Sequence, residues 1–219
     1  MTNMIVARLV SILIGYVFGM FLSGFFIGKA RDVDIRKQGS GNIGTTNTMR
    51  ILGIRVGAIT LLLDCLKCIA GIAVVWAVFQ ESQPENIRLL MLYGALGAIL
   101  GHDFPVFMKF KGGKGIACSF GMMIALYPQF LPVCVLVFAI AVGLTRFVSL
   151  GSILAAVALA VQVIVVGNMG YLSYGPGDLL EAQIITCVMA VLAIYLHKSN
   201  IKRLLAGNEN KLSFKSKRD

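Results

Sequence analysis

The sequence is short of charge, and shorter still of acid. Its 219 residues include 20 Lys and Arg but only 10 Asp and Glu, so charged side chains make up 14% of the chain and apolar ones 58%. Soluble domains run at roughly 45–50% apolar and about 25% charged. An ordinary soluble domain is excluded, and the polar stretches are too short to build a separate one. Histidine is limited to two residues, and the five cysteines are scattered through apolar segments. Cys65-x-x-Cys68 has the spacing of a redox or metal pair, but neither a histidine nor a second pair accompanies it, so both read as small residues buried in a helix. No cluster of His, Cys and carboxylates points to a metal, and no cofactor is expected. The G-x-x-x-x-G-K-[ST] spacing of a nucleotide P-loop is missing. A cleavable leader is not expected either, because the apolar run after Arg8 reaches Phe26 with no small-residue cleavage site behind it. The net charge of +10 does not read as nucleic-acid binding, since the basic residues sit in short loops between apolar runs.

What the chain does have is a succession of apolar runs. A membrane-spanning helix needs about 20 such residues at 1.5 Å rise each. Runs at 4–27, 51–79, 87–100, 148–166 and 179–196 qualify or nearly so. The run at 116–142 carries Pro128 and Pro132 and divides near Tyr127-Pro128, because proline removes a helical donor and clashes with the preceding turn. These features predict an all-α, polytopic integral membrane protein of about seven helices, one domain over 1–219 with a basic tail at 206–219. Seven spans place the termini on opposite faces. One face gathers Lys29, Arg31, Arg36, Lys37, Arg50, Lys109, Lys111, Lys114, Arg146 and the tail; the other has Arg8 and Arg88 with Glu81, Glu85, Asp178 and Glu181. By the positive-inside rule the first face is cytoplasmic and the N-terminus external. Gly94, Gly97, Gly151 and Ser152 read as close-packing positions between helices. Asp64 and Lys67, three apart within a span, read as an internal ion pair, with direct substrate contact as the alternative.

Three polar segments fall on the cytoplasmic face. The first, 39–50, offers three glycines, two asparagines, four hydroxyls and Arg50, a donor-rich set suited to phosphate and sugar-like hydroxyls. The second, 107–115, has three lysines and three glycines in nine residues, with His102 just before it. Glycine lets successive N–H groups converge on an anion and lysine adds positive charge; a basic loop on anionic lipid heads is the plainer reading. In the third, His197, Asn200 and Arg203 recur every third residue and share a helix face. Two anion cradles imply two phosphates.

The motifs Ser40-Gly41-Asn42-x-Gly44-x-Thr46-Asn47-x-x-Arg50, Gly101-His102-x-Phe104-Pro105 leading to Phe110-Lys111-Gly112-Gly113-Lys114-Gly115, and His197-x-x-Asn200-Ile201-x-Arg203-Leu204-x-x-Gly207-x-Glu209 resemble those of the bacterial acyl-phosphate:glycerol-3-phosphate acyltransferases. The resemblance covers the whole chain. Thr45 and Cys118 depart from the commoner alanine and threonine. The resemblance implies a multi-pass enzyme of the bacterial inner membrane, with its active site at the cytoplasmic face. Such an enzyme transfers an acyl group from acyl phosphate to the sn-1 hydroxyl of glycerol 3-phosphate, giving lysophosphatidate and phosphate. On that basis Ser40, Arg50, Lys111, His197 and Asn200 are the expected catalytic and glycerol-phosphate-orienting residues. Gly41, Asn42, Thr46, Asn47, Gly112, Gly113, Lys114 and Ser149 are expected on the acyl-phosphate head, with His102, Lys109 and Arg203 as further phosphate ligands. Arg203 and Glu209 are also expected to pair. The His-x-x-x-x-Asp base of another acyltransferase family is absent, since Phe107 stands five residues after His102. The proton is therefore expected to go to the departing phosphate or to a histidine. A transporter of a phosphorylated metabolite is the alternative, suggested by short, Gly/Pro-broken spans and intramembrane charge. An inactive scaffold on anionic lipid is a third.

Overall fold

The structure is a computed structural model that describes residues 3–175 and 177–212. The described residues are helical, without strands. Ten α-helices run α1 (Met4–Gly19), α2 (Ser23–Lys29), α3 (Thr45–Leu52), α4 (Ile54–Phe79), α5 (Ile87–Asp103), α6 (Ile116–Leu126), α7 (Leu131–Thr145), α8 (Val148–Asn168), α9 (Asp178–Leu196) and α10 (Lys198–Leu205). Six segments are long and apolar enough to cross a bilayer: Met4–Lys29, Ile54–Phe79, Ile87–Met108, Pro128–Thr145, Val148–Asn168 and Asp178–Leu196. The seventh apolar segment is α6, short at 11 residues. The split expected at Tyr127-Pro128 is there, as a 3₁₀ turn over Pro128–Phe130 joining α6 to α7.

The helices are held by close approach rather than by apolar burial alone, since lipid is as apolar as leucine. Gly15 and Gly19 of α1 lie against Gly94 and Ala98 of α5, and Gly97 and Gly101 lie against Ile12, Tyr16 and Met20. The matched order shows that α1 and α5 run in the same direction with backbones touching. Gly121 on α6 seats on Cys65 of α4, and Gly151 on α8 seats on Phe138 and Val142 of α7. The apolar core joins Cys68 and Ile72 of α4, Leu92 and Ile99 of α5, Met122 of α6, Val163 of α8 and Met189 of α9. All five cysteines are free, and all but Cys187 are buried.

Two boundaries differ from expectation. The first apolar run is not one helix. It breaks at residues 20–22, where the Phe21 carbonyl leaves the ladder and accepts from Lys67 Nζ at 2.6 Å. Residues 45–50, expected within a polar loop, and 51–52, expected to open the second span, together form α3, separated from α4 by Gly53 at φ 88°. The expected ion pair is real: Lys67 Nζ stands 2.9 Å from Asp64 Oδ1, both buried. At the far end of the bundle Arg8 pairs with Glu181 at 2.5 Å, linking α1 to α9, and Arg88 lies over the rings of Tyr127 and Tyr174. The end of the basic tail, 213–219, lies outside the described residues.

Candidate active site

At the opposite end, α3 to α8, α10 and the loops beside them line a cavity of about 220 Å³. Its polar wall includes Ser40, Asn42, Thr46, Arg50, Lys114, Ser149, His197 and Asn200, and its apolar wall includes Leu61, Ile116, Phe138 and Val148. Gly44, Thr45 and Thr46 at the start of α3, and Ile116 and Ala117 at the start of α6, also line it. The first N–H groups of a helix lack intrahelical acceptors and favour an anion, so two helix starts on one cavity make a positive floor.

Side-chain order around the cavity comes from two hubs. Asn47 is buried under the first motif. Its amide nitrogen points at the carbonyls of Ile35, Gln38 and Asn42 at 2.8–3.1 Å, and its Oδ1 accepts from the Ser40 N–H at 2.8 Å and Arg50 at 3.3 Å. Gly39 and Gly41, at φ 59° and 73°, provide the left-handed turns that wrap the loop round this amide. Glu209 is the second hub. It accepts from Asn200 Nδ2 at 2.8 Å, Arg203 Nε at 2.8 Å and Ser149 Oγ at 3.2 Å. Lys114 in turn donates to Asn200 Oδ1. The segment after α10 is strapped over the cavity: Leu212 N–H donates to the Arg146 carbonyl at 2.7 Å, and the Arg146 guanidinium donates back to Leu212 at 2.9 Å.

The electrostatics follow from this enclosure. Burial first, and the neighbouring Arg203 charge second, pull the Lys114 pKa down to about 8. Burial and the Lys114 charge pull His197 down to about 4, so its ring is neutral at pH 7. Its Nδ1 is 2.7 Å from the Ala193 carbonyl, which only accepts; Nδ1 therefore carries the proton and Nε2 holds a free lone pair. Burial also lowers Arg50.

A family model described as glycerol-3-phosphate acyltransferase matches residues 9–207. The chain belongs to that family. A glycerol-3-phosphate acyltransferase of Shouchella clausii is 37% identical over 97% of this chain and 99% of its own. Glycerol-3-phosphate acyltransferase 2 of Thermotoga maritima is 40% identical over 92% and 94%. Among solved structures, PlsY (YgiH), an integral membrane glycerol 3-phosphate acyltransferase, matches in its glycerol 3-phosphate form with TM-score 0.78 and 32% identity, covering 94% of this chain and 96% of that one. Its lysophosphatidic acid form matches with TM-score 0.77 and 31% identity, at the same coverage.

Within this acyltransferase fold, ten of the residues singled out by sequence meet at the cavity: Ser40, Asn42, Thr46, Asn47, Arg50, His102, Lys114, Ser149, His197 and Asn200. Gly41, Lys109, Lys111, Gly112, Gly113 and Arg203 are not among the lining residues. Lys109 and Lys111 are exposed on a turn in which Lys109 and Phe110 both take left-handed φ, 53° and 59°. The lysine–glycine loop is also not an open nest. Gly112 N–H goes to the Asp103 carbonyl and Gly113 N–H to the His102 carbonyl, each at 2.9 Å, and Lys111 N–H to Met108 at 3.1 Å. Its glycines instead let the loop lie flat on the end of α5, where a Cβ on Gly112 would meet the His102 and Asp103 carbonyls. Asn42 and Asn47 spend their side-chain oxygens on the loop itself, Asn42 on the Gly44 N–H at 2.8 Å. Arg203 pairs with Glu209 at 2.8 Å, as expected. Sequence reading paired Glu209 with Arg203 alone and did not see Ser149, its partner from 60 residues away. It counted Thr45 only as one hydroxyl of the first segment, read Ser152 as a packing position, and named neither Asn210 nor the individual residues of the apolar wall.

Proposed function

We propose that this chain transfers a fatty acyl group from an acyl phosphate to the sn-1 hydroxyl of glycerol 3-phosphate, at the cytoplasmic face of a bacterial inner membrane. The supporting observation is the convergence, in one cavity with both polar and apolar walls, of Arg50, Lys114, His197 and Asn200 from three separate motifs. A mixed anhydride is already activated, so the protein must chiefly hold two repelling anions in line, and cations and helix starts do that. The hydroxyl oxygen bonds to the acyl carbon, the acyl–phosphate C–O bond breaks, and phosphate leaves. Of the two carboxylates lining the cavity, Glu209 is held by Arg203 and Asn200, while Asp64 takes Lys67 and Ser23 on Oδ1 and its Oδ2 has no partner among the described residues. His197 Nε2 accepts from the attacking hydroxyl and aligns it, and the departing phosphate takes the proton. The single domain spans the full chain; its two substrates, glycerol 3-phosphate and acyl phosphate, meet at this cavity, and membrane lipid is a partner that surrounds it.

Detergent-purified protein given palmitoyl phosphate and glycerol 3-phosphate is expected to release phosphate and form lysophosphatidate with no membrane barrier present. Lys114→Met is expected to lose roughly 100-fold or more, on the scale of a lost transition-state donor. Absence of lysophosphatidate from wild-type protein would sink the reading, and equal use of acyl-CoA would sink the choice of donor.

A further inference from the structure

Lys67 does not line the cavity, yet its ammonium is buried and surrounded by three partners. An ammonium has three N–H donors and no acceptor. Three partners surround Lys67 Nζ: Asp64 Oδ1 at 2.9 Å, the Phe21 carbonyl at 2.6 Å and His102 Nδ1 at 2.8 Å. Asp64 is fixed in turn by Ser23 Oγ at 2.8 Å. Because Lys67 can only donate, His102 Nδ1 must accept, and the ring proton sits on Nε2. Asp64 Oδ1 is 3.9 Å from the same Nδ1, too far to compete.

The other ring nitrogen looks the opposite way. His102 Nε2 is the nearest atom to where a Cβ on Gly113 would stand, so the ring lies flush against the loop that ends in Lys114. His102 lines the cavity, and among the described residues no protein acceptor takes its Nε2–H. His197 has the reverse tautomer, with Nδ1–H on the Ala193 carbonyl. The two histidines that line the cavity thus hold opposite tautomers.

We infer that Lys67 is a positioning residue for acyl transfer: it fixes His102 as the Nε2–H tautomer, and that N–H donates to a phosphate oxygen bound in the cavity. The identity of that phosphate rests on the acyl-transfer reading above. As the acyl–phosphate bond breaks, negative charge grows on the departing oxygens, and a fixed donor stabilises it without reorganising.

With only two histidines in the chain, ¹⁵N-histidine labelling resolves both rings, and His102→Gln assigns them. In wild-type protein His102 is expected to be unprotonated at Nδ1 and protonated at Nε2, His197 the reverse, and added inorganic phosphate is expected to shift the His102 Nε2–H signal. Asp64→Asn with Lys67→Met removes both charges while keeping an oxygen for Ser23. It is expected to abolish the His102 preference and lower kcat/KM roughly 10- to 100-fold, the scale of a hydrogen bond to a charged group. A glutamine amide donates without help, so His102→Gln should retain more activity than His102→Ala, and the double substitution should cost little more in the His102→Gln background. A wild-type ring protonated at Nδ1, a signal indifferent to phosphate, or equal losses in both backgrounds would overturn the inference. If the double variant fails to fold, the wild-type spectrum and phosphate titration still decide it. If wild-type protein makes no lysophosphatidate, the acyl-transfer reading falls while those spectra still test the tautomer and its donor role.

Discussion

Among single residues, the division of labour between lysines is the clearest product of the structure. Lys109, Lys111 and Lys114 share one short motif, and Lys114 is the one whose ammonium reaches the cavity. A sequence read by composition ranks all three alike. What separates them is a turn with two left-handed non-glycine residues, each costing about 1–2 kcal/mol, which sends Lys109 and Lys111 outward. The enclosure of Lys114 has a kinetic signature. Its pKa of about 8 is the free enzyme's value, and kcat/KM reports free-enzyme ionisations. The Lys114 ammonium is lost as pH rises through 8, so the proposed role of this cation in gripping phosphate predicts that kcat/KM for glycerol 3-phosphate falls on the alkaline side near pH 8. Arg203 holds the Lys114 pKa down and Glu209 holds it up. Arg203→Gln weakens the first influence and frees the second, so it should move that alkaline limb to higher pH. A pH–rate profile of the two proteins checks the sign, and a limb that moves down, or does not move, contradicts it.

The elements are joined by glycine where they must touch and by polar ties where they break. Small residues on α5 and α8 were legible as packing positions, because glycine inside a membrane helix has few other uses. Their partners were not legible, since spacing along one helix says nothing about which neighbour it meets. A Cβ on Gly97 would stand 2.9 Å from the Ile12 carbonyl carbon and the Tyr16 nitrogen, both backbone atoms that cannot rotate away. Gly97→Leu should therefore destabilise the bundle by roughly 3 kcal/mol, the upper end of the overpacking range. Gly143 on α7 has nothing within 4 Å of a built Cβ, and Gly143→Leu should leave the melting temperature in detergent nearly unchanged. The break between α1 and α2 escaped the sequence reading for a related reason. Apolar content continues through residues 20–22, and the break is stabilised by Lys67, 46 residues away.

For the whole molecule, α1 begins at the end opposite the cavity and α9 delivers His197 to it, so the described termini lie at opposite ends of the bundle. Lys109, Lys111, Lys114 and Lys202 belong to segments at the cavity end, and on the positive-inside rule we propose that this end faces the cytoplasm. In protein freed of its native cysteines, Lys111→Cys and Lys202→Cys should react with an impermeant maleimide only from the cytoplasmic side, and Glu81→Cys only from outside. Labelling of Glu81→Cys and Lys111→Cys from one side would reverse this topology. The sequence by itself determined the membrane class, the succession of apolar helices, the division at Pro128 and the three motifs, because hydropathy, proline and glycine act locally and leave a mark wherever they stand. The tertiary structure alone decided which lysine enters the cavity, which carboxylates are neutralised, and which nitrogen of each histidine holds its proton. Those depend on single contacts between segments far apart in the chain, and a contact of that kind has no periodicity from which it could be read.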